Sequence, residues 1–588
     1  MDSRMPTVPS SVLEPRADGD LVSTAPVLLP VMAPRLQGDL MADGSLGLAL
    51  WGAGKLGTVT FRRWTGPYHY APNRLVAANG ALHVAQSAPV LVLLNTRIQR
   101  LVPARRCAWW DAVKPAARVS RTAAEVRVVG GWGTIIAVLR GADTVIAVGA
   151  DEDEARQALA LSVAQIVAEA KAYVDRCDGL PEADPVLRTM VIQGRHAALS
   201  SIRSDRQGRF AGLAAGQAYS APARTYYRDG YWTLQALLQC APEAVRGEIE
   251  ILAAGMQPDG EAPSGVILTG PAQSQAWERV RGNNAIVHEQ HLRPGDWWSD
   301  HFDSPLFFVL AIRDYVAATG DLEPARTHWE RIRTVFNRYR GFCRDGGALP
   351  LKPRHDRDWA DNVFRHGFVS YDIGLWIGAL DTIADLGQRI DPVLAETAAA
   401  VARSARAELD AALLTADGWY ADYGTVDDFR DDHLTLDSLT LLRFDAVSPA
   451  RATSILAAVA RRLETRNNSE QPFGDWGVMC AYPPFARRKD TRAKSAFAFR
   501  YHNCSDWPYL DGLYAGEILR RGGSGWRYPL TRWWETCLAQ GWAGAVEYFS
   551  PPFGRGSLLQ GWSGLPAAVA VSNAAAIAHA AAFREDRT

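Results

Sequence analysis

From Val22 to Ala150 the apolar residues fall in short β-branched or alternating runs broken by Gly, Pro and Asp: Gly44 to Trp51, Pro89 to Leu94, Glu125 to Val129, Gly133 to Leu139 and Asp143 to Val148. Runs of that length and spacing predict an antiparallel β-sandwich over 21–150. The period then changes. Ala158, Leu161, Val163, Ile166, Val167 and Ala170 recur at helical spacing behind an acidic start, Asp151-Glu152-Asp153-Glu154, which suits the positive end of a helix dipole. One connecting helix is predicted over 151–180. Beyond about Pro181 helix follows helix: Val186 to Ile202, Trp232 to Gln239, Glu243 to Gly255, Pro305 to Thr319, Glu323 to Arg340, Ile373 to Leu386, Pro392 to Leu414, Ala450 to Glu464, Leu510 to Arg520 and Ala567 to Ala582. Each gives way to a loop of Gly, Pro, Asp and aromatic residues. Such pairs can close into a ring of inner and outer helices, an (α/α) barrel over 181–588, and no fixed repeat motif recurs as an open solenoid would require. Residues 1–20, rich in Pro, Ser and charge, predict a disordered N-terminus without an apolar leader.

Composition narrows the functions this organisation could serve. A chain of 588 residues exceeds one ordinary core, consistent with a large domain and a smaller companion. The 63 basic and 64 acidic residues leave a net charge of -1 with no long block of either sign, so nucleic acid is not an expected partner. No stretch of eighteen or more apolar residues appears, and no membrane association is expected. The 7 cysteines (Cys107, Cys177, Cys240, Cys343, Cys480, Cys504, Cys537) have no metal or redox spacing and read as buried thiols of a cytoplasmic protein. Tryptophan is heavily used, 20 residues, many beside Gly, Asp or Arg; flat faces of this kind stack on sugars, although packing accounts for most of them. Oligomeric state is left open, a homo-oligomer included.

Two carboxylate settings stand out for chemistry on a glycosidic bond, which needs an acid for the leaving oxygen and a second carboxylate as nucleophile or as activator of water. Glu547 leads into an aromatic, Pro/Gly-rich turn, Tyr548-Phe549-Ser550-Pro551-Pro552-Phe553-Gly554, followed by Gly561-Trp562-Ser563. Asp361 lies in Arg357-Asp358-Trp359-Ala360-Asp361, where partial desolvation beside Trp359 can raise its pKa enough to keep a proton. Asp358 is its rival, and either could cap a helix or pair with Arg354, Arg357 or Arg365. Arg228-Asp229 offers a donor fork beside an acceptor, which suits neighbouring sugar hydroxyls. Asp303, closing the cluster Gly295 to Pro305, sits where helix capping is the default role. Tyr501-His502-Asn503-Cys504-Ser505-Asp506-Trp507 combines short polar groups with an aromatic plate, and Trp359, Trp507 and Trp562 are candidate stacking walls. His288-Glu289-Gln290-His291 lacks a clear third ligand, so no metal is expected. Nucleophile-elbow, P-loop and H-E-x-x-H signatures are missing from the sequence.

Taken in order, these segments resemble glycosidases with an (α/α)6 barrel, most nearly the neutral/alkaline invertases, with overlap to the glucoamylases and the trehalase and processing-glucosidase group. The likeness is carried by Arg228-Asp229, Asp303-Ser304 with Thr319-Gly320-Asp321, Asp361 with Gly367 and Ala379-Leu380, Tyr482-Pro483, Tyr501-His502-Asn503 with Trp507-Pro508, and Glu547-Tyr548 with Trp562-Ser563. It covers roughly Arg224 to Ala570. It implies a mainly α fold, an (α/α)6-barrel catalytic domain behind the smaller β-sandwich, and an inverting mechanism. Asp361 would be the acid and Glu547 the base, with Arg228, Asp229, Asp303, Asp358, Trp359, His502, Asn503, Trp507 and Trp562 holding a carbohydrate, and no cofactor required. Invertases follow Tyr-His-Asn with two glycines where this chain has Cys504-Ser505-Asp506, a departure expected to reshape the pocket wall and to bring a further carboxylate to it. Sucrose specificity is therefore not carried over. The expectation is an exo-acting inverting glycoside hydrolase; the alternatives are a glycoside phosphorylase on the same barrel and a non-catalytic carbohydrate-binding protein.

Overall fold

The structure, a computed structural model, describes residues 12–104, 117–219, 223–267, 301–354, 356–486 and 490–585. Its N-terminal part is two antiparallel sheets face to face. A meander of Leu28–Met32, Leu36–Met41, Ser45–Leu50 and Gly54–Phe61, with Ile98–Pro103 on its edge, forms the five-stranded sheet. The other has ten strands and includes Val90–Leu94, Gly133–Arg140 and Asp143–Gly149. Alternation explains why these strands are apolar throughout. Leu91, Leu93, Ile135, Ile146 and Val148 face the sandwich core, whereas Val90, Val92, Ile136, Val145 and Ala147 face a second cluster against Ala155, Ala158, Leu159 and Ile166. With both faces covered, the strands carry no polar face to alternate with.

Those last four residues belong to α1 (Glu152–Ala158), α2 (Val163–Cys177) and the turn between them. The single connecting helix expected there is two. Ser162 and Gln165 form a reciprocal capping box that starts α2, so the chain turns at Leu159–Ser162. Residues 12–20 are also not disordered: Leu13 is buried and Glu14–Pro15 pairs with Leu21–Ser23.

The remaining helices are α3 (Pro185–Ser201), α4 (Tyr227–Leu237), α5 (Pro242–Gly255), α6 (Ser304–Thr319), α7 (Glu323–Thr327), α8 (Trp329–Gly341) and α9 (Ser370–Gly387). They continue as α10 (Pro392–Leu413), α11 (Thr440–Arg443), α12 (Pro449–Arg462), α13 (Pro508–Arg520), α14 (Arg527–Gln540), α15 (Leu565–Ser572) and α16 (Ala574–Glu585). The expected helices at 323–340 and 567–582 are each split, at His328 and Asn573, and α14, rich in Trp and Arg, was not anticipated. The inner ring runs α4, α6, α9, α11, α13, α15 and back to α4, each packed on the next. Outside it lie α3, α5, α8, α10, α12 and α14. Burial separates the two kinds: α9 is buried without a break from Ser370 to Leu380, while α10 buries only the stripe Leu394, Ala395, Ala398, Ala402, Ala405, Leu409 and Leu413. The outer helix α3 is an exception, buried nearly all round.

No helix among the described residues is long and apolar enough to cross a membrane. The six described cysteines are all free, and Cys107 lies outside the described residues. So do Gly295 to Asp300 and the His288 to His291 pair.

Candidate active site

A cavity of about 540 Å³, open to solvent, lies where several inner helices begin. Arg228 and Asp229 sit in the first turn of α4, not in the loop expected there, because the helix starts at Tyr227. His301 precedes α6, Trp359 and Asp361 lie upstream of α9, Tyr501 and His502 lead into α13, and Glu547 and Trp562 lead into α15. Residues far apart in sequence meet here because the inner helices all run away from the same end of the barrel.

The two carboxylates differ in surroundings. Glu547 is buried, and burial raises its pKa; Ser557 N–H donates to its Oε2 at 3.0 Å and the Tyr219 hydroxyl to Oε1 at 3.5 Å, both favouring the ionised form. Asp361, 21% exposed at its side chain, is also raised by burial, against the pull of Arg228, His301, Arg357 and Arg492. Its Oδ1 has no hydrogen-bond partner among the described residues and lies 3.5 Å from His502 Nδ1. Burial, Arg365 and Arg228 hold the His502 ring neutral, well below the usual histidine range. One carboxyl is thus fitted with donors, and the other has an oxygen without one among the described residues.

Arg228 is fixed by a fork. Its Nε and Nη2 donate to Asp303 at 2.7 and 3.1 Å, and Nη2 also donates to His301 Nδ1 at 2.9 Å, which leaves the imidazole proton on Nε2. Burial alone would raise Asp303; Arg228 reverses it and holds the carboxyl well below the usual range. Asp303 is therefore spent on Arg228 beneath the cavity. It neither caps α6 nor lines the pocket. Asp229 accepts from Gln560 Nε2 at 2.9 Å and is pushed up to about 7 by burial, with Glu547 adding to the rise and Arg228 opposing it.

Three further expected site residues, besides Asp303, face elsewhere. Asp358 is sealed against Arg365 and Lys352, 3.2 and 3.7 Å away. Asn503 spends its amide on Phe485 and on Ser495 O. Trp507 is a supporting plate, stacked on His502 at 5.0 Å and on Tyr548 at 5.1 Å, with the edge of Trp359 against it at 5.3 Å. Asp506 brings no carboxylate to the pocket either; its Oδ2 accepts from Val478 N–H at 2.9 Å. Trp359 and Trp562 do line the cavity, and the Nε1 of each lacks a hydrogen-bond partner among the described residues. Tyr219, Tyr226, Ser264, His301 and Tyr501 line it as well, none of them expected.

No protein-family model matches the chain, and no curated protein sequence does. Among solved structures, a bacterial glucoamylase complexed with acarbose is similar at TM-score 0.58 and 8% identity, over 96% of this chain and 94% of that one. A rhamnosidase from Klebsiella oxytoca with rhamnose bound is similar at TM-score 0.50 and 14% identity, over 94% of this chain and 97% of that one. The chain has the fold of the (α/α)6-barrel glycosidases. Its likeness to invertases rests on the short motifs alone.

In this glycosidase fold the wall beside Glu547 is held by unusual backbone. Phe499, Tyr501 and Cys504 all take positive φ, at 59°, 57° and 70°, a region that disfavours side chains. Cys504 thus adopts the left-handed conformation that glycine takes without strain, and the departure from the invertase pattern is absorbed by strain instead of by a new pocket contact. Gly556 is required for a different reason. A Cβ there would come 2.5 Å from Glu547 Oε2. Gly556→Ala is predicted to displace that carboxylate and lower kcat/KM by about 10²-fold, with thermal stability little changed. Unaltered kinetics on a glycoside the parent cleaves would remove the requirement for this close fit.

Proposed function

We propose that this chain is an exo-acting inverting glycoside hydrolase that releases the terminal sugar of a small glycoside or oligosaccharide. The observation that carries the reading is the pairing in one small cavity of Glu547, supplied with hydrogen-bond donors, and Asp361, whose Oδ1 has none among the described residues. Asp361 gives its proton to the glycosidic oxygen. Glu547 takes a proton from the water that attacks the anomeric carbon, so the bond to the leaving group breaks as the bond to water forms, with inversion. Arg228, Asp229 and His301 offer donors and acceptors to the hydroxyls of the departing sugar, and Trp359 and Trp562 offer aromatic surface. The acarbose-bound glucoamylase and the rhamnose-bound rhamnosidase on this fold support carbohydrate as the ligand.

Proton NMR of the first product from a panel of α- and β-linked glycosides tests the reading. A sugar of inverted anomeric configuration is expected. Retention would reassign Glu547 as a nucleophile, and phosphate-dependent turnover would make the protein a phosphorylase.

A further inference from the structure

Three cations gather over aromatic rings at the mouth of the cavity, and none of them pairs with a carboxylate among the described residues. Lys494, exposed, holds Nζ 4.8 Å from the ring centre of Tyr501 and 5.8 Å from that of Tyr548. The Arg500 guanidinium lies 5.6 Å from the Phe497 ring and 5.0 Å from the Phe553 ring. Arg492 lies 5.7 Å from Phe364, and its Nη2 donates to the backbone oxygen of Asp361 at 2.8 Å. Tyr501 lines the cavity, Tyr548 follows Glu547, and Arg492 is tied to the backbone of Asp361, so Lys494 and Arg492 border the carboxylate end of the cavity, while Arg500 is near enough to Tyr548 to draw its pKa down.

Exposed aromatic surface sets this rim apart, with Phe364, Phe497 and Phe553 at 44%, 41% and 42%. Grouped exposed aromatics mark a contact surface, and three like charges held together gain when an anion joins them. The field reaches the chemistry too: Lys494 draws the Glu547 pKa down and Arg492 that of Asp361, each against the larger upward push of burial.

We infer that the leaving group of the substrate is an acidic aromatic group of benzoate type, its carboxylate taken by Lys494 and Arg500 and its ring laid against Phe497 and Phe553. The inference rests on the glycoside-hydrolase reading and names the substrate class of that same site.

Matched 4-carboxyphenyl and 4-carbamoylphenyl glycosides of several sugars test it, since the pair differs in charge while shape and leaving-group chemistry stay close. The parent chain is expected to prefer the carboxylate by roughly tenfold in kcat/KM at low salt, the size of two exposed ion pairs, and the preference should shrink as salt is added. In Lys494→Met/Arg500→Met the ratio of the two kcat/KM values should fall to near one, and in Lys494→Glu it should invert. Equal rates on the two substrates, or a preference indifferent to salt, overturn the inference while leaving a working glycosidase. Failure to cleave either member of the pair on any sugar overturns the hydrolase reading and this inference with it.

Discussion

Asp361→Asn is expected to lower kcat/KM on unactivated glycosides by about 10²–10⁴-fold, the usual contribution of a positioned acid, and to remove the alkaline limb of the pH profile. Glu547→Gln is expected to cause a loss of the same order and to remove the acidic limb. The assignment of limbs follows from the surroundings. Glu547 must be ionised to accept a proton, and donation from Ser557 N–H and Tyr219 opposes the upward push of burial. As pH falls through its pKa the base is lost. Asp361 must be protonated, and burial raises its pKa while its Oδ1 has no donor among the described residues to stabilise the anion; as pH rises through that value the acid is lost. A second measurement separates the two roles. A leaving group that departs without protonation, such as 4-nitrophenolate or fluoride, should recover most of the activity of Asp361→Asn and little of that of Glu547→Gln. Equal recovery in both variants would show that the acid and base had been assigned to the wrong residues or that the acid lies elsewhere. Asp229, pushed up to about 7 and also lining the cavity, is then the next residue to substitute.

What the sequence made legible was whatever has a period or a local chemical signature. The strands and most helices announce themselves because burial on one face, or on both, dictates which positions are apolar, as at Val90 to Leu94 and Ser370 to Leu380. Arg228, Asp229, Asp361 and Glu547 stand out because charged groups inside aromatic, glycine-rich turns have few structural reasons to be there. Orientation is what a loop sequence hides. Asp358 and Asp361 flank the same Trp359 and Ala360, yet one turns inward to Arg365 and the other reaches the cavity. His502 faces the cavity while Asn503 holds a loop, and nothing in the letters distinguishes them. Tyr219 and Ser264 come from short turns without any motif. His301 and Tyr501 lay inside clusters already singled out, where a neighbouring residue drew the assignment. The break before α2 was readable, since Ser162 stands three positions ahead of Gln165 in capping-box spacing.

The largest structural effect is expected from Arg365, in the layer beneath the Trp359–Asp361 loop. Its guanidinium donates to Asp422 and Asp437 at 2.8 and 2.7 Å and lies 3.2 Å from Asp358, with every member of the cluster nearly sealed from solvent. Lys352 adds a second cation 3.7 Å from Asp358 but commits two hydrogen bonds to the backbone oxygens of Asp356 and Arg365. Arg365→Met fills similar volume and leaves three buried carboxylates facing one lysine, which is expected to cost about 3–5 kcal/mol. The pH dependence has a definite sign. Burial raises the Asp422 carboxyl and Arg365 opposes that rise. A carboxyl raised in the folded state contributes stability that is fully present below its unfolded pKa and lost as pH climbs through the folded value. Removing Arg365 raises that value further, so the gap in thermal midpoint between parent and variant should widen from about pH 7 to pH 9, as the parent's Asp422 ionises near about 8 and the variant's does not. Circular dichroism melts of both proteins across that range measure it. Activity should fall with stability, because Asp358 Oδ1, paired with Arg365, also accepts from Ala360 N–H at 2.9 Å and so fixes the turn that presents Asp361. A variant that melts with the parent at both pH values and keeps its kcat/KM would show that the loop is held by its aromatic contacts, Trp359 against His502 and Trp507, and not by the charges beneath it.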